Sequence, residues 1–131
     1  MQNVNIIQDM YQAVATGDFP GFLNGMDAAI EWNEAENFPY ADNNPYIGPG
    51  AVAAGVFGRI AADWEYWTLS DNEYHETNGD KIIVTGRYNA KHKITGKVIK
   101  AQFTHIWTLN NGKATRFQQY TDTKQVTDAM N

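Results

Sequence analysis

His105 stands two residues after Phe103 and two before Trp107. In an extended chain successive side chains point to opposite faces, so this spacing sets an imidazole between two large rings on one face. An imidazole with its ordinary pKa of about 6.5 can give or take a proton at neutral pH. The chemistry suggested is general acid/base catalysis inside an aromatic hollow. The same pattern also fits a histidine held by a hydrogen bond within an aromatic core.

Glu34 is the natural partner, because the run from Ala29 to Glu36 alternates so that Ile30, Trp32 and Glu34 share a face. Its carboxylate would orient His105, share its proton, or act as the base itself. Alternatively it lies wet at a strand end. Gln119 is expected beside His105 if the Asn110-Asn111-Gly112 turn holds three residues, which turns Phe117 and Gln119 inward. A two-residue turn or a bulge would present Gln118 and Tyr120 instead. Trp32, Trp64, Tyr88, Phe103, Trp107 and Phe117 are the candidate walls of the hollow. Tyr40 and Tyr46, on a proline-rich loop, are candidate hydroxyl donors at its mouth, with Tyr46 counted among the ligand-binding residues. Large aromatics are also ordinary core, so wall and core readings both stand.

No metal is expected: His75, His92 and His105 fall on different strands without paired spacing, and there is no cysteine. Glycine-rich phosphate loops, nucleophile elbows and dinucleotide fingerprints are absent from the sequence, so no cofactor is expected.

The elements that must position these residues follow from periodicity. Ile7, Met10, Tyr11 and Val14 recur at helical spacing between Val4 and Thr16, and Gly17 follows as a C-terminal cap. Asp18 can cap a short helix running to about Met26, with Pro20 in its first turn. The strand over Ala29–Glu36 leads into a loop, Asn37–Pro49, long enough for a lid or pocket wall. Val52, Val56, Phe57, Ile60 and Trp64 predict a third helix from Gly50 to Trp64. Four long strands complete the chain: Tyr66–Thr77, Lys81–His92, and the two arms of a hairpin from Lys97 to Thr123. Helices segregated on one side of an antiparallel sheet make the class α+β. The chain, residues 1–131, reads as one domain without internal repeats.

A net charge of -5 and a pI near 5.0 argue against nucleic acid and anionic membranes as partners, since both demand a basic surface. No stretch is long and apolar enough for a membrane span, and the N-terminus lacks the basic start and apolar run of a signal peptide. A cytoplasmic location is the resulting expectation.

The element order, with I-E-W-N-E-A-E-N-F-P-Y at 30–40, G-P-G-A-V at 48–52, F-T-H-I-W-T-L-N-N-G-K at 103–113 and R-F-Q-Q-Y-T-D-T at 116–123, resembles the SnoaL-like branch of the nuclear transport factor 2-like superfamily. It is similar to the ketosteroid isomerase-related proteins in particular. The resemblance implies a cone-shaped, strongly curved, mostly antiparallel sheet wrapped around three N-terminal helices, with an internal cavity. It also implies a homodimer through the outer sheet face. Superfamily activities include isomerases, cyclases, dehydratases and pure binding proteins, so the fold alone does not choose.

Carried over position by position, the steroid isomerases' base aspartate falls on Trp32, their phenolic donor on Met10 and their second acid on His105. None of the three groups is present, so the steroid isomerase reaction itself is not expected, although the third match puts His105 on the cavity face. The expected function is a cofactor-independent lyase, isomerase or cyclase acting on an apolar carbonyl compound through His105 and Glu34. The alternative is a protein that binds a hydrophobic small molecule without changing it.

Overall fold

In a computed structural model, which describes residues 2–131, the chain forms one six-stranded sheet with helices against its inner face. Two helices come first, α1 (Asn3–Ala15) and α2 (Phe19–Asn24), followed by β1 (Met26–Asn33). Gly17 takes φ 82 between the helices, and the Asp18 carboxylate accepts from the Gly21 N–H at 3.0 Å to cap α2. The helix ends two residues before Met26, which already belongs to β1; the expected boundary at Met26 is corrected accordingly.

The loop region holds a single turn of 3₁₀ helix and a two-residue strand, β2 (Tyr46–Ile47), paired antiparallel with β1. The third helical segment is α3 (Pro49–Val52), a π-helical stretch Ala53–Phe57, and α4 (Gly58–Asp63). Within the π stretch, position 55 is a glycine because the ring of Tyr46 fills the space where a Cβ would stand. Trp64 does not close this helix as its spacing suggested. It opens β3 (Trp64–Glu76), and its burial comes from the sheet.

The remaining strands are β4 (Lys81–His92), β5 (Val98–Asn110) and β6 (Lys113–Thr121), then a short α5 (Thr123–Ala129) that the sequence reading did not anticipate. Strand order is β2-β1-β6-β5-β4-β3, antiparallel throughout except β1 beside β6. Both outer strands keep free edges, so the sheet does not close on itself. On β5 alternation is strict: Ala101, Phe103, His105, Trp107 and Leu109 are buried, and the residues between them are not.

Two irregularities set which side chains enter the interior. The hairpin turn has two residues, Asn111 (φ 51) and Gly112 (φ 78), with Asn110 paired to Lys113. A bulge follows, since Leu109 pairs with Ala114 but Thr108 with Arg116. Each change alone would reverse β6; together they cancel, leaving Phe117 and Gln119 buried and Tyr120 exposed.

The second irregularity lies in β3, where Ser70 pairs with Arg87 but Glu73 with Thr85, so Asp71 and Asn72 oppose Gly86. Asp71 takes φ 58 there. Inward parity consequently changes from Trp67 and Leu69 to Asn72 and Tyr74. Among the described residues no helix is long and apolar enough to cross a membrane.

Candidate active site

The inner faces of α1, α2, the third helical segment and the sheet enclose a pocket of about 350 Å³. Its apolar walls include Phe22, Trp32, Phe57, Trp67, Trp107 and Phe117; its polar groups are Tyr11, Glu34, Thr68, Asn72, Tyr88, His105 and Gln119. Trp32 stacks on Phe117 at 3.7 Å between centroids, and Trp107 meets both edge-on, which fixes one end as a rigid aromatic box.

His105 is 5% exposed, and both of its ring nitrogens are taken. Nδ1 lies 2.5 Å from the Tyr11 hydroxyl, brought from α1 across 94 residues, and Nε2 lies 2.5 Å from the Tyr88 hydroxyl on β4. Each phenol has a second neighbour: Trp107 Nε1 donates to the Tyr11 oxygen and Gln119 Nε2 donates to the Tyr88 oxygen, both at 2.8 Å. Gln119 is in turn anchored through its Oε1, which accepts from the Ala35 N–H at 3.0 Å.

Burial pushes the His105 pKa down from 6.5 to about 3, so the ring is neutral at physiological pH. Burial likewise raises both Tyr11 and Tyr88 well above the ordinary phenol value, keeping them protonated. A neutral imidazole has one N–H and one lone pair. One tyrosine therefore donates to the ring while the other accepts from it. The accepting tyrosine keeps its own hydroxyl hydrogen for the pocket.

Glu34 is 3% exposed, and its Oε2 accepts from Trp32 Nε1 at 3.1 Å. Its Oε1 is buried without a hydrogen-bond partner. Burial raises its pKa from 4.5 to about 8, against the smaller lowering effect of the Trp32 bond, so it is chiefly a neutral carboxylic acid at pH 7. Its charged form lies close enough to raise the Tyr88 pKa further.

Several expectations are corrected. Glu34 neither orients His105 nor shares a proton with it, because the two phenols occupy both ring nitrogens. His105 does not titrate near neutrality, since its burial disfavours the charged ring. Two expected wall residues, Trp64 and Phe103, and Tyr46, expected as a donor at the mouth, do not line the pocket. Phe103 lies behind it, stacked on both His105 and Tyr88. Trp64 stands edge-on to Trp67 and His92 and donates through Nε1 to the Tyr40 hydroxyl at 3.1 Å. The Tyr46 hydroxyl donates to the Tyr40 carbonyl at 2.6 Å, and the Tyr40 hydroxyl to the Asp63 carboxylate at 2.6 Å. Both loop tyrosines thus tie down the 37–49 loop and offer nothing to a ligand.

Trp32, Glu34, Tyr88, His105, Trp107, Phe117 and Gln119 do come together around one space. Tyr11 and Asn72 were missed. Tyr11 reads as one more apolar position of α1, and only its hydroxyl separates it from the core stripe. Asn72 was hidden by the β3 bulge. The phenol that α1 sends into the pocket is Tyr11, one position beyond the matched Met10, whose own side chain packs against Gly25. Among the described residues, no group of three or more potential ligands could hold a metal ion.

The chain matches the SnoaL-like domain family over residues 7–117. It belongs to that family. Among solved structures, a nuclear transport factor 2-like protein from Burkholderia thailandensis is 32% identical over 100% of this chain and 99% of its own, with a TM-score of 0.93. TerC, co-crystallised with polyporic acid, is 25% identical over 98% of this chain and 97% of its own, with a TM-score of 0.86. A candidate polyketide cyclase from Pseudomonas putida shares the fold at 14% identity, covering 98% of both chains with a TM-score of 0.83. No curated protein matches this SnoaL-like chain in sequence. These likenesses establish the nuclear transport factor 2-like α+β fold.

Proposed function

We propose that the protein is a cofactor-independent isomerase, cyclase or lyase that moves protons on a small, largely apolar carbonyl compound. The observation that carries this reading is Glu34: a buried carboxyl at the pocket wall, with one oxygen free of partners and a pKa near the working pH. A base with pKa about 8 is ionised in roughly one molecule in ten at pH 7, and is far stronger than an ordinary carboxylate.

Glu34 as carboxylate takes the proton from the carbon next to the ligand carbonyl. The electron pair of that C–H bond moves onto the carbonyl oxygen. The phenol left free by His105 donates its O–H to this oxygen, stabilising the charge where it develops. Glu34 then returns the proton to another carbon, which isomerises the ligand. Alternatively the enolate carbon attacks a second carbonyl, and the resulting alkoxide takes the proton, which closes a ring. His105 backs the phenols as a neutral relay, and Gln119 positions Tyr88. The co-crystal of TerC with polyporic acid supports a small organic occupant for a pocket of this fold. A homodimer through the outer sheet face belongs to the same proposal.

The test is proton exchange: a cyclic ketone incubated with the protein in D₂O, its α-protons followed by NMR. Exchange should rise with pH to a midpoint near 8, set by Glu34. Glu34→Gln should lower the rate at least about 100-fold, the usual share of a general base. Exchange that persists near the wild-type rate in this variant removes Glu34 from the proposed role.

A further inference from the structure

The Tyr11–His105–Tyr88 chain has two hydrogen-bonding states, and each makes a different demand on a ligand. With the proton on Nε2, the Tyr88 oxygen accepts from His105 and Gln119, and its O–H points to the ligand. Tyr11 then spends its O–H on Nδ1, accepts from Trp107, and has one lone pair left for a ligand donor. With the proton on Nδ1 the two ends exchange roles. Tyr11 then donates to the ligand and Tyr88 accepts from it. Both phenols line the pocket, so a ligand reaching both must offer an acceptor at one end and a donor at the other.

From this we infer that the pocket is built for a vinylogous acid or amide, a carbonyl conjugated across a ring to an O–H or N–H, and that Tyr11, His105 and Tyr88 shuttle its proton between the two ends. This inference rests on the reading of the pocket as a site for small carbonyl compounds. The transfer balances without any other reactant. The ligand O–H or N–H gives its proton to the Tyr11 oxygen, Tyr11 gives its own to Nδ1, Nε2 gives its own to Tyr88, and Tyr88 protonates the ligand carbonyl. The ligand's double bonds shift by one position, and the protein is left in its other tautomer. Reversal uses the same atoms in the opposite order.

The surroundings suit neutral transfer. Among the described residues no cationic side chain lines the pocket; Glu34, Asn72 and Gln119 are the other polar groups facing it, besides Thr68. The ring resists protonation because of its burial, so a proton arriving at one nitrogen leaves from the other. A ligand that only accepts would satisfy one phenol and leave the other facing a mismatch. A buried polar group left without its partner costs more than the bond itself contributes.

The probes are 4-quinolone, which carries N–H and C=O across one ring and is neutral at pH 7, and N-methyl-4-quinolone, which lacks the donor. Binding is followed by tryptophan fluorescence, given Trp32, Trp67 and Trp107 in the wall. The wild type should bind 4-quinolone at least about tenfold more tightly, the scale of one buried hydrogen bond. In Tyr11→Phe and in Tyr88→Phe this preference should fall below about threefold, whereas a preference due to the methyl group's bulk would persist in both. ¹⁵N NMR of the His105 ring gives a second readout. With 4-quinolone both nitrogens should show shifts averaged between protonated and unprotonated values; with the N-methyl compound one tautomer should be fixed. Equal wild-type affinities, or a preference unchanged in both variants, overturn the inference. The quinolone preference is read in the two tyrosine variants and ketone exchange in Glu34→Gln, so the failure of this inference and the failure of the proposed catalysis are told apart.

Discussion

At the scale of single residues, burial shifts the pKa of two groups in opposite senses. His105 is held at about 3 against 6.5 when exposed, so between these values the unfolded chain binds a proton that the folded chain lacks. Stability therefore rises with pH over that range. Glu34 is held at about 8 against 4.5, so between those values the folded chain holds a proton that the unfolded chain has lost, and stability falls with pH. Each slope is about 1.4 kcal/mol per pH unit. Where the ranges overlap, from 4.5 to 6.5, the two cancel. The pair thus contributes a plateau, with a decline on its alkaline side up to about pH 8. Urea unfolding of the wild type and Glu34→Gln at pH 5.5, 6.5, 7.5 and 8.5 should show the alkaline decline in the first and not in the second. Parallel curves for the two proteins would mean that Glu34 ionises in the folded state as it does in water.

At the scale of elements, the site depends on two bulges, and these decide what was legible in the sequence. Period-two patterning located Phe103, His105 and Trp107 on one face, because β5 alternates without interruption. It also put Trp32 and Glu34 together, and both line the pocket although β1 ends at Asn33, short of the expected Glu36. Phe117 and Gln119 were placed inward through a three-residue turn, but they arrive by a two-residue turn and a bulge. The β3 bulge gave no such compensation: alternation through Asp71 concealed Asn72 and Tyr74, and a positive φ at Asp71 has no strong sequence signature. The partnership of Tyr11 with His105 lay beyond any local pattern, because it joins a helix to a strand 94 residues away. A prediction follows at Gly86, the residue opposite the β3 bulge. A Cβ there would stand 2.7 Å from Asn72 Oδ1 and 2.7 Å from Phe103 Cζ. Phe103 cannot yield, being stacked on both Tyr88 and His105. Gly86→Ala should cost about 1–3 kcal/mol by overpacking. Urea unfolding should show this as a lower midpoint at unchanged slope. A midpoint within error of wild type would mean that the bulge is slack enough to absorb a methyl group.

At the scale of the whole molecule, the sheet separates two kinds of surface. Its inner face carries the aromatics and the proton-bearing groups, and its outer face is sorted by charge. Around the middle of β4, β5 and β6 the outward residues are Ile83, Thr85, Thr104, Ile106, Thr108 and Gln118, none of them charged and all half-buried in the single chain. Lys81, Arg87, Lys100 and Arg116 stand around this patch. Depletion of charge at the centre with a charged rim is the pattern of a protein interface, because uncharged β-branched side chains are cheap to desolvate and lysines are not. The proposed homodimer would use this patch and leave the pocket, on the opposite face, untouched. Light scattering at micromolar concentration should give twice the single-chain mass of 14.7 kDa. Ile106→Arg, which places an unpaired charge at the centre of the patch, should return the mass to that of one chain. Because Ile106 points away from the pocket while its neighbours His105 and Trp107 line it, the variant should keep its preference for 4-quinolone. A wild type that scatters as a single chain defeats the dimer at once. An Ile106→Arg protein that stays dimeric would move the interface elsewhere, to the free edge of β2 or β3, where backbone groups rather than side chains would make the contact.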